Sequence, residues 1–88
     1  MTAASMRYMG RVKELPCFVC GAPGPSAAHH IRTGQGGSQR ASDYLTIPLC
    51  WEHHQGRTGI HGDRSAWRLR KLEELDGVAD TIRRLVGT

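Results

Sequence analysis

Residues 15–24 read LPCFVCGAPG and residues 43–54 read DYLTIPLCWEHH, and the fold turns on how these two stretches answer one another. Cys17 and Cys20 enclose two apolar residues; Cys50 and His53 repeat the same spacing on the far side of a loop. A two-residue turn brings both side chains of such a pair to one side, and Gly21, directly after the first pair, admits backbone conformations closed to other residues. Two such knuckles offer four ligands of the kind and number that close a tetrahedral structural zinc site. The chain has reason to need one. Its 88 residues make one domain, and a domain of that size buries only about 60% of the surface its unfolded chain exposes. The three cysteines are an odd number and residues 1–10 lack the apolar block of a secretory signal, so a disulfide framework is the poorer explanation. Single cysteines are often just small buried hydrophobes, but two matched knuckles are not accounted for that way.

Working outward, Met6, Met9 and Val12 stand at helix-like spacing within residues 1–14, which predicts a frayed start leading into a short helix. LPCFVCGAPG reads as a tight knuckle between short strands. AAHHI, residues 27–31, predicts a strand, and RTGQGGSQRAS, residues 32–42, a loop long enough to be functional. YLTIPLC, residues 44–50, predicts a second strand, with Pro48 restricting it to an edge or to the strand's end. After Cys50, Gly56, Gly59 and Gly62 should break any helix begun by WEHH. Asp63 suits the N-cap of a helix over 64–75, striped by Trp67, Leu69, Leu72 and Leu75 and ending near Gly77. A last helix over 78–86 would carry Ala79, Ile82 and Val86 on one face. Trp51 and Trp67 read as core or metal-site packing rather than base-stacking platforms. The expected architecture is α+β, with an N-terminal segment (1–14), a zinc-stapled core (15–62) and a C-terminal helical extension (63–88). No segment nears the roughly 18 apolar residues that cross a bilayer, so the expectation is a cytoplasmic protein with no membrane contact.

All five histidines fall between residues 29 and 61: His29, His30, His53, His54 and His61. Two adjacent pairs bracketing a Gly-rich loop are hard to read as ordinary surface or core histidines. If His53 faces the zinc, His54 is rotated by about 100° around a helix axis and faces a different site. That second site can combine His29, His54 and His61 as neutral imidazole ligands of a catalytic divalent ion, which leaves His30 as a proton acceptor. Phosphodiester hydrolysis needs an activated water, charge stabilisation on the phosphate and help for the departing oxygen, and one histidine with one metal ion supplies all three. His30, with an ordinary pKa of about 6.5, suits the base. No carboxylate lies close to His29 in the sequence, so a one-metal mechanism is expected over a two-metal one. Imidazole ligands admit several ions, Mg²⁺, Mn²⁺, Ni²⁺ or Zn²⁺ among them.

AHHI, the loop containing Gly36 and Gly37, DYLTIPLCWEHH and GIH, in that order over residues 15–62, together resemble the signature of the HNH nucleases, also called His-Me finger or ββα-metal endonucleases. Within that family they look most like the phage-type recombination-enhancement nucleases that depend on RecA. The resemblance implies a β-hairpin followed by a helix, with the catalytic ion in its concave face. It places His30 at the general-base position, His29 at the ligand beside it, and His54 and His61 at the helix-borne ligand positions. It further implies DNA as substrate, a phage or bacterial host setting, and a RecA-type nucleoprotein filament or phage protein as a partner. Two departures stand out. The family commonly carries an Asn in the hairpin loop that orients the base, and this chain has no asparagine; Asp43, Tyr44 or a backbone carbonyl must substitute. His54 and His61 are seven residues apart, a rise of about 10.5 Å if helical, so the glycines between them must fold the chain back. Strand alternation sends His29 and His30 to opposite faces, which predicts a backbone twist where the loop begins.

Twelve Lys and Arg oppose eight Asp and Glu, for a net charge of +4, and ten of the twelve are arginines, whose planar fork suits phosphate oxygens. Arg32, Arg40 and Arg57 are the candidate DNA contacts, positioning a duplex without reading its sequence. Two other classes of function fit the same residues. One is a non-catalytic zinc-knuckle module that binds nucleic acid; the other is a phage assembly or recruitment element with a stable protein partner. The histidines left over after the zinc site is complete favour the enzyme.

Overall fold

The computed structural model describes residues 2–37, 39–56, 59–60 and 73–87. Expectations resting on Arg57, His61, Gly62, Asp63 and residues 64–72 lie outside these. The architecture is small and α+β. Helix α1 (Ala3–Glu14) is followed by strand β1 (Ala27–His30), strand β2 (Thr46–Leu49), the single-turn helix α2 (Trp51–His54) and helix α3 (Glu74–Val86).

The expected fraying at the start of α1 is not observed. Thr2 is the N-cap: its hydroxyl accepts from the Ser5 amide, and the Ser5 hydroxyl accepts from the Thr2 amide, both at 3.0 Å. This reciprocal capping satisfies donors that would otherwise loosen the first turn. Arg11 and Lys13 occupy the last turn, where cations favour the helix dipole. The residue before Pro16 is Leu15, and the helix ends there, as the ring of a following proline demands.

β1 and β2 pair antiparallel, with His29 opposite Ile47 and His30 opposite Thr46. Every residue of β2 is buried, because α1 and α3 both pack against it. Pro48 is tolerated because a two-stranded ribbon consists only of edges. Its carbonyl accepts the Phe18 amide at 2.8 Å, which ties the first knuckle to β2. The short strands expected around that knuckle are absent among the described residues. The knuckle instead closes on itself, Cys17 N–H to the Ala22 carbonyl at 2.9 Å and Gly21 N–H to the Cys17 carbonyl at 2.8 Å, with Gly21 at φ +76°. Beyond α2 the chain turns back: Ile60 N–H reaches the His53 carbonyl at 2.9 Å. Gly59 passes so close to α2 that a Cβ there would lie 2.7 Å from the His54 carbonyl group. The core gathers Cys17, Ile31, Ala41, Ile47, Leu49, Ile60 and Val78.

Helix α3 corrects the sequence reading twice. It begins at Glu74 and runs through Gly77 without a break. The face it buries is Glu74, Gly77, Val78 and Thr81, while Ala79, Ile82 and Val86, the expected apolar stripe, are exposed. The i, i+3, i+4, i+7 period is that of a packed helix, yet its inward residues are mostly polar or small. The reason is close approach: a Cβ on Gly77 would stand 2.8 Å from Ile47 Cγ2 and 3.2 Å from Phe18 Cδ2. Glycine lets the helix sit on β2, and that contact fixes which face turns inward.

Candidate metal centre and histidine site

The two knuckles meet. Cys20 Sγ and Cys50 Sγ are 3.9 Å apart, and Cys50 Sγ and Cys17 Sγ lie 3.3 Å and 3.9 Å from His53 Nδ1. All four ligand atoms fall within 4.8 Å of one another. For metal–sulfur bonds of about 2.3 Å and metal–nitrogen bonds of about 2.1 Å, a tetrahedral site has edges of roughly 3.8 Å between sulfurs and 3.6 Å from sulfur to nitrogen. The observed separations bracket these lengths, so the cluster could hold a structural metal ion. Backbone donors support it. Burial raises the pKa of Cys17, but amide N–H groups of Cys50, Cys20 and Val19 directed at its sulfur outweigh that and hold the thiol below its ordinary value. Burial raises the Cys50 thiol, against a hydrogen bond from the His53 amide, and the neighbouring Cys17 sulfur raises it further. A cation among the sulfurs reverses that repulsion.

The next residue of α2, His54, turns elsewhere. Its ring meets that of His29 edge-on, with centroids 5.1 Å apart. The pairing of these two residues, expected from the rotation between His53 and His54, is therefore present in space. His61, the third expected ligand, lies outside the described residues. Among those described, the three-cysteine, one-histidine cluster is the only group of three or more such side chains close enough to share an ion.

His29 is 2% exposed, and its Nε2 lies 2.6 Å from Oε2 of Glu74, itself 4% exposed. The other carboxylate oxygen accepts the Arg32 amide at 2.9 Å, the Thr33 amide at 3.0 Å and the Thr33 hydroxyl at 2.9 Å. Burial alone would raise the Glu74 pKa; the hydrogen bonds from His29, Arg32 and Thr33 more than offset it and leave the carboxyl below its ordinary value. No carboxylate lies close to His29 in the sequence, and the fold brings one to it. Glu74 stands 45 positions away in the chain, next to Glu73 in what reads as an ordinary solvated helix end, and no local signal distinguishes it.

His30 turns to another set of partners. Its Nε2 is 2.8 Å from Asp43 Oδ1, and Asp43 Oδ2 accepts the buried Ser5 hydroxyl of α1 at 2.8 Å. Hydrogen bonds from His30 and then Ser5 hold the Asp43 carboxyl below its ordinary pKa. Nε2 of His30 thus lies between the Asp43 carboxylate and, at 3.1 Å, the Arg40 guanidinium, and a hydrogen on Nε2 is what the carboxylate oxygen accepts. Asp43 is therefore the one of the three expected partners, Asp43, Tyr44 or a backbone carbonyl, that His30 meets. His29 and His30 are not brought to one set of partners: as strand alternation dictates, His29 meets Glu74 of α3 and His30 meets Asp43 and Arg40 of the loop.

Of the arginines, Arg40 places Nη2 3.1 Å from His30 Nε2 and 3.9 Å from Asp43 Oδ1 while remaining 62% exposed. It lines an open cleft of about 360 Å³ with Asp43, Tyr44, Thr2 and Ser5. Arg32 is directed inward on the loop instead, donating to the Gln39 and Gly36 carbonyls at 2.6 and 3.0 Å. Arg57 lies outside the described residues. Trp51, expected to pack in the core or at the metal site, is 70% exposed, because α2 is pinned by the cysteine cluster and offers its first residue to solvent. No described helix is long and apolar enough to cross a membrane.

No curated protein and no solved structure matches the chain. Over residues 1–86 it matches the family described as "Protein of unknown function (DUF968)", and the chain belongs to that family.

Proposed function

We propose that this chain is an HNH (His-Me finger, ββα-metal) nuclease domain that hydrolyses DNA phosphodiester bonds, with zinc in the cysteine cluster and one catalytic divalent ion beside it. The observation that carries the reading is the His30–Asp43 pair, a histidine oriented by a carboxylate, one residue along β1 from an imidazole pair built by His29 and His54. The order β1, β2, α2 is that of a ββα unit, and α2 carries a knuckle ligand and a second histidine in succession. Zinc suits the cluster because three thiolates and an imidazole form a closed four-ligand set with no position for substrate.

The residues that would hold the catalytic ion are His29 and His54, with His61 the third by resemblance. Two imidazoles bound to one tetrahedral ion place their ring centroids about 5.2 Å apart, from bonds of about 2.05 Å, close to the 5.1 Å found. When bound, such an ion (Mg²⁺, Mn²⁺, Ni²⁺ or Zn²⁺) supplies charge stabilisation to the phosphate and to the departing oxygen. The protein's own groups do the proton work. His30 accepts a proton from water at Nδ1 while its Nε2–H donates to Asp43, which stabilises the imidazolium as it forms. Ser5 holds the far oxygen of Asp43, so α1 is part of the site. Arg40, exposed at the cleft, offers its fork to a phosphate oxygen.

The test is cleavage of supercoiled plasmid by the zinc-loaded chain and its His30→Ala variant, with each divalent ion supplied in turn and with and without a RecA-type filament. Removal of the base should lower the rate by about 10²–10⁴-fold while leaving DNA binding in place. A second reading, a zinc-stapled module that binds nucleic acid without cutting it, is favoured by one observation: His29 and His30 turn to different sides and His29 Nε2 is engaged by Glu74. Binding of DNA with no cutting under any of these conditions would establish that reading instead.

A further inference from the structure

We infer that Glu74 is a positioning residue for the ion at His29: it fixes the imidazole tautomer so that Nδ1 is the atom offered to the metal. This rests on the catalytic ion proposed above. Four donors converge on the Glu74 carboxylate, three on one oxygen and His29 Nε2 on the other. Three donors already fill Oε1, so Oε2 is the acceptor that meets a hydrogen on His29 Nε2, which makes Nδ1 the ring nitrogen presented to a metal. Direct ligation by both atoms does not fit. Two ligands at about 2.1 Å from one ion sit roughly 3.0–3.4 Å apart, whereas Nε2 and Oε2 are 2.6 Å apart. Glu74 therefore stands behind the ligand, in the carboxylate–histidine–metal arrangement that raises ligand basicity.

The fold builds this contact from a distance. Gly77 packs against Ile47, and Ile47 is the cross-strand partner of His29. One turn earlier on the same buried face, Glu74 is thereby delivered to His29. A staple between α3 and β1 would not need a charge, since two aliphatic side chains would join them without the cost of burying a carboxylate. The same carboxylate grips the amides of Arg32 and Thr33, where the Gly-rich loop leaves β1, so the ligand and the base of that loop are held as one unit.

The test uses the full zinc-loaded chain, titrated with Co²⁺ alone by calorimetry, with thiolate charge-transfer absorption checking that the cysteine cluster keeps its zinc. In Glu74→Gln the amide oxygen still accepts from Arg32 and Thr33, so the amide NH₂ faces His29 Nε2 and drives the proton to Nδ1. Co²⁺ affinity should fall by about 10–100-fold while zinc content is unchanged. Equal Co²⁺ affinity in wild type and Glu74→Gln, with loss in His54→Ala, would overturn the role of Glu74 and leave the nuclease reading standing. Failure of the wild type to bind any Co²⁺ beyond the cluster would overturn the second ion itself. Should Glu74→Gln not fold, imidazole ¹⁵N spectra of the wild type decide: an Nε2–H tautomer for His29, with Nδ1 shifting on addition of Zn²⁺ beyond the first equivalent, is expected, and an Nδ1–H tautomer refutes the inference.

Discussion

Cys20→Ser separates metal from packing, because Cys20 is exposed. A surface substitution of this kind changes stability by no more than about 0.5 kcal/mol when packing alone is at stake. If Cys20 is one of four ligands, the scale is different. The apparent binding free energy of a structural zinc ion is about 10–16 kcal/mol. That is comparable with the burial of Val12, Ile31, Ile47, Leu49, Ile60 and Val78 together, each contributing roughly 1.5–3 kcal/mol. Should losing one sulfur forfeit only a quarter of the ion's contribution, the cost is about 3 kcal/mol. For a domain of this length that lowers Tm by about 12–24 °C, at roughly 4–8 °C per kcal/mol. Far-UV circular dichroism melts, with zinc content measured on the same samples, read both quantities. A variant that melts within about 4 °C of wild type would refute the coupling of the cluster to folding, and chelation of the wild type should reproduce the loss.

Two glycines in helices should respond in opposite directions to the same change. Gly10→Ala meets nothing within 4 Å and should stabilise by about 0.5–1 kcal/mol through helix propensity. Gly77→Ala gains the same propensity but forces a Cβ against Ile47 and Phe18, an overpacking worth about 1–3 kcal/mol, so its urea midpoint should fall; a rise would show that α3 does not sit where described. Asp43 and Glu74 ionise below their ordinary values in the fold, so on acidification the unfolded chain takes up protons first. Their stabilisation is complete above a pH of about 4–5 and is lost as the pH falls through the folded values. An Asp43→Asn, Glu74→Gln double variant should therefore show a shallower dependence of urea midpoint on pH in the acid range, and an unchanged slope would contradict both hydrogen-bonded carboxylates.

The sequence by itself determined whatever depends on neighbours within a turn. C-x2-C and C-x2-H place ligand pairs on one side by local geometry, and the structure brings those two pairs together. Adjacent His53 and His54 diverge by the helix rotation, and His54 does meet His29. The strands read from AAHHI and YLTIPLC, and the loop between them, were legible on the same grounds, while the fold-back near Gly59 followed from the His54–His61 spacing that the resemblance requires. Tertiary structure decided the rest. Glu74 reads as a surface residue of a charged helix and is buried against His29, because the rotation of α3 is set by Gly77 on Ile47, with Val78 beside it, and not by Ala79, Ile82 and Val86. Among the groups the sequence offered to orient His30, the fold selects Asp43, and Ser5, from a helix 38 positions earlier, holds its other oxygen. Helical periodicity says that a helix has a buried face; which face it is depends on how closely another element can approach, and that is a property of two surfaces that no single stretch of chain contains.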